Sequence, residues 1–359
     1  MKCDCRVIRS GYDGEKCFVH ARFCAAPDFM LATAQYLDVT GCDLFSGLYS
    51  GISIDGGETW SEFVPEDGLA PLVDDDTITV PCDATPMYHK KSGKVILLGH
   101  TAEYKKGAKA PTGKRRYTFY SIWDADKKCF SKLKFIEMPD GFERCGNGSG
   151  QSLELENGEL LIPVYFSVEG DPAARATVLR AALVGDEIKV LEMGNILSFS
   201  VARGLNEPSI ICHDGTYYMT IRNDECGLIA KSTDGLNYTN LTHLMWDDDS
   251  LVQNYNTQQH WMHVGGELYL VYTRRGADND HVFRHRAPLF AARFQKMRLV
   301  RDSEFVVVPE RGARLGNFCA VSLDDGSAAV MAAEWMQPIG CEKYGSDNSI
   351  FLTFVKSDD

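Results

Sequence analysis

The sequence predicts an all-β protein: a six-bladed β-propeller with four strands in each blade. Three observations predict it. First, an apolar stretch, a tight turn rich in Asp, Asn or Gly, and a second apolar stretch recur along the chain, which is the mark of β-hairpins. Second, five of these turns end on Gly93, Gly158, Gly215, Gly266 and Gly326, spaced by 65, 57, 51 and 60 residues, the regular period of a repeat architecture. Third, apolar residues show almost no helical periodicity. A five-bladed propeller and a pair of β-sandwiches are the rival architectures.

The elements follow in chain order. Arg6–Ser10 is a strand placed to close a ring against Ile350–Val355 at the far end. Phe18–Tyr36, turning near Pro27-Asp28, is the loosest of the six hairpins. The others are Met87–His100 with its turn at Ser92-Gly93, Ser152–Tyr165 at Asn157-Gly158 and Ser209–Arg222 at Asp214-Gly215. His260–Tyr272 at Gly265-Gly266 and Phe318–Glu334 at Asp325-Gly326 complete the set. Further strand-like runs, such as Tyr117–Trp123, Thr177–Leu183 and Leu289–Phe294, lie between hairpins and bring each period to about four strands. Divided among six blades, 359 residues give about 60 each, which a four-stranded blade with its loops fills. Residues 1–359 are thus expected to form a single domain.

Composition narrows the function. With 44% hydrophobic residues the chain is not of the disordered class. It has no apolar run of about 18 residues. A net charge of −13 disfavours nucleic-acid partners and makes any basic cluster informative. The twelve cysteines include no C-x-x-C pair, so neither a metal nor another cofactor is expected. Met1-Lys2-Cys3-Asp4-Cys5 lacks the apolar core of a signal peptide, so the expected setting is cytoplasmic, with reduced thiols and no membrane partner. The oligomeric state stays open.

Ser53-Ile54-Asp55-Gly56-Gly57-Glu58-Thr59-Trp60 fits the pattern S-x-D-x-G-x-x-W, and Ser232–Tyr238 is a shorter, degenerate copy. The pattern resembles the Asp box of sialidases and their relatives. Gly204–Asp224, Asn256–Arg275, His285–Phe290 and Pro309–Asn317 are similar to proteins described as sialidase-family or BNR-repeat proteins, and the likeness spans nearly the whole chain. It implies a six-bladed propeller with Asp-box turns between third and fourth strands. It also implies an exo-acting glycosidase site around the axis of the opposite face. The chain departs from true sialidases in two ways. Their Phe/Tyr-Arg-Ile-Pro motif is replaced by Val19-His20-Ala21-Arg22-Phe23. Their Glu-activated Tyr nucleophile has no evident counterpart, although Tyr165, Tyr272 and Tyr344 are available. The resemblance is therefore to a divergent branch, and sialic acid does not follow as the substrate.

Strands alternate direction, so the face opposite the hairpin turns collects first-strand starts and second-strand ends. The starts are Asp83, Gln151, Glu207, Gln258-Gln259-His260 and Gly316-Asn317; the ends include His100, Tyr165, Arg222-Asn223-Asp224, Tyr272, Arg274-Arg275 and Glu334. Glycoside hydrolysis needs two carboxyl groups flanking the scissile bond. Asp83 and Glu207, in blades two and four, are the expected acid and base, with Asp224 or Glu334 in reserve. Arg203, Arg222, Arg274, Arg286 and Arg314 are expected to bind the carboxylate of an acidic sugar, since a guanidinium matches a carboxylate in two-pronged geometry. Arg275, Arg284 and Arg311 lie near the same face. Asn223, Gln259, His260, Tyr272 and Asn317 are expected to contact the small carbohydrate substrate as well, with no metal among them. The polar insertion Asp278–Arg286 resembles loops that close over ligands. The expected function is an exo-acting glycoside hydrolase for a terminal acidic sugar. β-Elimination at a uronic acid and non-catalytic carbohydrate binding are the alternatives.

Overall fold

The computed structural model describes residues 1–113 and 115–358. Six antiparallel sheets succeed one another along the chain and around a ring. Blade one is Lys16–Ala25, Met30–Asp38, Phe45–Ser53 and Val64–Pro65. Blade two is Thr77–His89, Lys94–Lys105 and Thr118–Asp124, with Cys129–Phe130 and Lys134–Phe135 sharing its outer edge. Blade three pairs Glu143–Gly146 and Leu153–Glu154 with Glu159–Val168, followed by Asp171–Val184 and Glu187–Met193. Blade four is Asn206–His213, Thr216–Arg222, Leu228–Ser232 and Thr239–His243. Blade five is His260–Val264, Glu267–Tyr272 and Leu289–Gln295, with Arg298–Leu299 and Phe305–Val308 outside.

Blade six joins the two ends of the chain. Cys319–Ser322, Ala328–Ala333 and Ile350–Lys356 receive Lys2–Arg9 as their outermost strand, with Arg6 opposite Leu352. All six sequence-read hairpins are present at the expected turns. The propeller has six blades rather than five, and the sandwich alternative falls away.

The inner strands of each blade bury both faces, as in Lys16–Ala25 and Glu159–Val168, so the core divides into wedges between neighbouring blades. Ile96, Tyr120, Leu160 and Phe166 fill the wedge between blades two and three. Val271, Leu289, Val330 and Phe351 fill that between five and six, and equivalent clusters occupy the other four joints. Gln151 supports the inner wall: its side-chain amide bonds both the N–H and the carbonyl of Trp261, two blades away. No helix among the described residues is long and apolar enough to cross a membrane. All twelve cysteines are free.

Ser53–Trp60 forms the turn between the third and fourth strands of blade one. Ser53 Oγ accepts from Gly57 N–H, and Asp55 accepts from Thr59 N–H and Oγ1. Ser232–Tyr238 makes the same kind of turn in blade four, with Gly235 N–H on Ser232 Oγ and Leu236 N–H on Asp234.

Candidate functional site

The inner strands carry a repeated irregularity. His20, Asp83, Ser149, Glu207 and Asn317 all adopt positive φ, between 48° and 67°. Three of them coincide with register shifts in the ladder, at Val19/Arg22, Cys82/Thr85 and Asn206/Ser209. A bulge of this kind re-aims a side chain, and a non-glycine residue held at positive φ carries strain that tends to gather at functional sites. Here one polar side chain from each of five blades is turned toward the axis.

They meet at Asp83. Its Oδ1 accepts from Arg22 Nη2 at 3.0 Å, Ser149 Oγ at 2.6 Å and Asn317 Nδ2 at 2.7 Å. His20 Nε2 lies 3.3 Å from the same oxygen, and His100 Nε2 lies 3.7 Å from Oδ2. Blades one, three and six thus hold a carboxylate from blade two. Burial opposes its charge, but His20, Arg22, His100 and the Ser149 hydroxyl outweigh that and keep its carboxyl well below the usual carboxylate range. Burial pushes both His20 and His100 down. The His100 ring packs on glycine backbone: a Cβ at Gly148 would lie 1.9 Å from its Nδ1.

Glu207 lines the same cavity, a hollow of about 320 Å³. Its Oε1 accepts from Arg222 Nη1 at 2.6 Å, whereas Oε2 is buried without a partner. Eight arginines line the cavity against four carboxylates, Asp43, Asp83, Glu103 and Glu207. Arg203 and Arg222 are ion-paired, to Asp224 and to Glu207 with Asp224. Among the described residues, Arg115, Arg116, Arg144, Arg284, Arg286 and Arg314 have no carboxylate within 4 Å. Burial, then the like charges of Arg222 and Arg314, push Arg286 well below its ordinary value. Burial brings Arg314 down to about 10, and its guanidinium lies 3.9 Å over the Trp335 ring. Such crowding of desolvated cations favours an anionic ligand.

Of the expected site residues, the cavity brings together Asp83, Glu207, Arg203, Arg222, Arg286, Arg314 and Asn317. Five lie outside its lining. Tyr272 and Arg274 both bind Glu304, the latter through two nitrogens at 2.7 and 2.6 Å, and so brace the outer edge of blade five. Asn223 donates to the carbonyls of Val201 and Gly204 and fixes a loop. Gln259 donates to Thr257 O. His260 bonds Ser209 Oγ and packs edge-on against Phe318; burial, with a smaller effect from Arg22, pushes its ring down to about 3. For Gln259 and His260 the physical reason is local: residues 257–260 lack the positive φ that Asp83 and Glu207 adopt, and their side chains continue into interblade packing. The reserve carboxylates are structural too. Asp224 holds Arg203, and Glu334 holds Arg311 and the amides of Asp347 and Ser349.

Several lining residues escaped the sequence reading: His20, Asp43, Glu103, Arg115, Arg116, Arg144 and Trp335. One signal for them existed. Lys114-Arg115-Arg116 is a basic run in an acidic chain. Tyr165, a candidate nucleophile, does line the cavity, but its hydroxyl faces His100 Nδ1 at 3.4 Å and Arg116 lies 5.1 Å from its ring centre. No hydrogen bond among the described residues joins it to a glutamate.

Cys82, Asp83 and His100 place three ligand-type atoms within 4.8 Å of one another. They suit a cation poorly. Asp83 is already saturated on one oxygen by Arg22, and burial holds Cys82 as a neutral thiol.

No protein-family model and no curated protein sequence matches the chain. Solved structures do. A protein of unknown function from Dyadobacter fermentans superposes with a TM-score of 0.68 at 14% identity, covering 99% of each chain. Trypanosoma rangeli sialidase in complex with sialic acid gives 0.62 at 14% identity, over 95% of this chain and 54% of that one. The intramolecular trans-sialidase of Ruminococcus gnavus gives 0.63 at 13% identity, over 98% and 97%. The chain spans about half the length of the trypanosomal enzyme. The architecture is therefore the sialidase-like six-bladed propeller, in a divergent sequence. At this identity the likeness extends to the fold.

Proposed function

We propose that the protein is an exo-acting glycoside hydrolase that removes a terminal acidic sugar in the arginine-lined axial pocket. The observation that supports this best is that an ionised Asp83 and Glu207 share a cavity where six arginines lack a carboxylate partner among the described residues. In this reading the buried Arg286 and Arg314, with Arg222, take the sugar's carboxylate. Asp83, held charged by Arg22, is the base that activates water. Its Oδ2 makes no hydrogen bond among the described residues. Glu207 is the acid. Its Oε2, buried without a partner, is the oxygen free to face the leaving group.

The test is a screen of chromogenic glycosides of acidic and neutral sugars on the parent protein, Asp83→Asn and Glu207→Gln. Acidic glycosides are expected to turn over, and each substitution is expected to cost about 10²–10⁴-fold in kcat. Turnover that survives in the double variant within tenfold of the parent would overturn the assignment.

β-Elimination at a uronic acid is the second reading, favoured by one contact. Tyr165 and His100 form a hydrogen-bonded pair beside the unpaired Arg116, the elements for removing a proton next to a neutralised carboxylate. An absorbance rise from an unsaturated product, without hydrolysis, selects it.

A further inference from the structure

The pocket's cations fall into two groups. Arg222, Arg286 and Arg314 are buried and crowd one another, with Arg284 beside them and Arg222 paired to Glu207. Arg116 and Arg144 gather near Tyr165, with Arg203 as their next cationic neighbour. Arg115 and Arg144 are exposed at the rim. This second group comes from two places: the start of blade three and the loop joining Lys94–Lys105 to Thr118–Asp124 in blade two.

That loop is built rather than loose. The amides of Thr112 and Gly113 both donate to Glu103 O, and Lys105 N–H donates to Thr112 Oγ1. At its far end Thr101 N–H donates to Tyr117 O, and Tyr117 N–H donates to Thr101 Oγ1. Its sequence is strongly basic: Lys105, Lys106, Lys109, Lys114, Arg115 and Arg116 follow the single acid Glu103, in a chain of net charge −13. Converging guanidiniums without acidic partners repel one another. Nothing in folding rewards that arrangement, and an anion does.

One carboxylate has two oxygens, which a two-pronged guanidinium pair already engages, so a singly charged sugar held by the buried arginines leaves the rim group unanswered. The cavity, at about 320 Å³, is at the small end of the range for ligand pockets, roughly 300–1,000 Å³. A chain's terminal ring fills it, and the next ring lies at the rim.

We infer that the site takes an oligosaccharide with at least two anionic groups, the second carried by the penultimate sugar and bound by Arg115 and Arg144. This rests on the acidic-sugar reading above and narrows it. The shared chemistry of the second group is a planar or tetrahedral oxyanion, either a carboxylate or a sulfate ester.

Calorimetric titration separates the cases with three probes: glucuronate, digalacturonate and a trisulfated heparin disaccharide. At least one of the two larger probes is expected to bind tenfold or more tightly than glucuronate, and which one does so identifies the second anion. In the double variant R115Q/R144Q that preference is expected to fall at least fivefold. Both residues are exposed, so the fold is not at risk, and an unchanged melting temperature checks this. A preference below tenfold in the parent, or one retained in the variant, overturns the inference. If glucuronate still binds in that event, the acidic-sugar pocket stands and only the second subsite falls. If no probe binds, both fall.

Discussion

His20, Asp83, Ser149, Glu207 and Asn317 show how the site is made at the scale of single residues. Each pays for a left-handed backbone and gains an axial direction for its side chain. Gly148 has the complementary task of yielding space to His100. Gly148→Ala places a methyl where the ring now sits, and His100 is fixed between Asp83 and Tyr165. The expected result is a loss of about 1–3 kcal/mol in stability, the usual range for overpacking, with weaker binding of acidic sugars; chemical denaturation and titration measure the two. His260 makes a second prediction. Its folded-state value of about 3 lies below its ordinary 6.5. The unfolded chain therefore binds a proton that the folded chain refuses between those values, and stability falls as pH drops from 6.5 toward 3. His260→Gln removes that contribution. The variant is expected to be less stable than the parent at pH 7, through the lost Ser209 contact, and to close the gap as pH falls to 4. Melting temperatures across that interval that keep a constant difference would contradict this.

At the scale of elements, the turns were legible because their chemistry is local. Ser92-Gly93, Asn157-Gly158 and Asp214-Gly215 specify tight reversals in four consecutive residues. The Ser53–Trp60 turn is legible for the same reason. Ser53→Ala removes the acceptor of Gly57 N–H and the donor to Asp55, so a cost of about 1 kcal/mol is expected in urea unfolding. Asp55, held down to about 2 chiefly by the Thr59 hydroxyl and amide, stabilises the turn above the ordinary carboxylate range and loses that effect as pH falls through about 2. The site was only half legible. Asp83, Glu207, Arg222 and Asn317 stand at strand ends that the hairpin period locates. Tyr272, His260 and Gln259 stand at equivalent ends, yet face the packing. What separates Asp83 and Glu207 from them is a bulge, and a bulge leaves no local sequence mark comparable to an Asn-Gly turn. His20, Arg116 and Arg144 reach the pocket through such irregularities and through a loop, so only the charge of Lys114-Arg115-Arg116 betrayed any of them.

The whole molecule closes its ring where blade six meets blade one, and the site depends on that joint. Asp83 of blade two is held by Arg22 from blade one and Asn317 from blade six. Separation of those blades pulls its donors apart. Two devices secure the joint. One is the strand Lys2–Arg9 on Ile350–Lys356, legible in the sequence as a closing strand. The other is Asn348, which sequence reasoning had no cause to single out. Buried to 1% exposure, it accepts from Phe18 N–H and donates to the carbonyls of Phe18 and Glu334. Its amide thus acts as a missing ladder pair between the blades. Asn348→Ala leaves the Phe18 amide buried without a partner, a cost of about 1–3 kcal/mol. A wedge core of Phe23, Ala32, Met331 and Leu352 still spans the joint, so the loss is expected to be local before it is global. The amide proton of Phe18 is then expected to exchange with solvent at least tenfold faster in the variant, while amides in blades three and four keep their parental rates. Affinity for an acidic sugar is expected to fall alongside, because Arg22 and Asn317 lose their fixed separation. Uniform acceleration across all six blades would instead mean that the ring opens only by unfolding as one unit, and Asn348 would be one buried hydrogen-bonding group among many rather than the latch between the two ends of the chain.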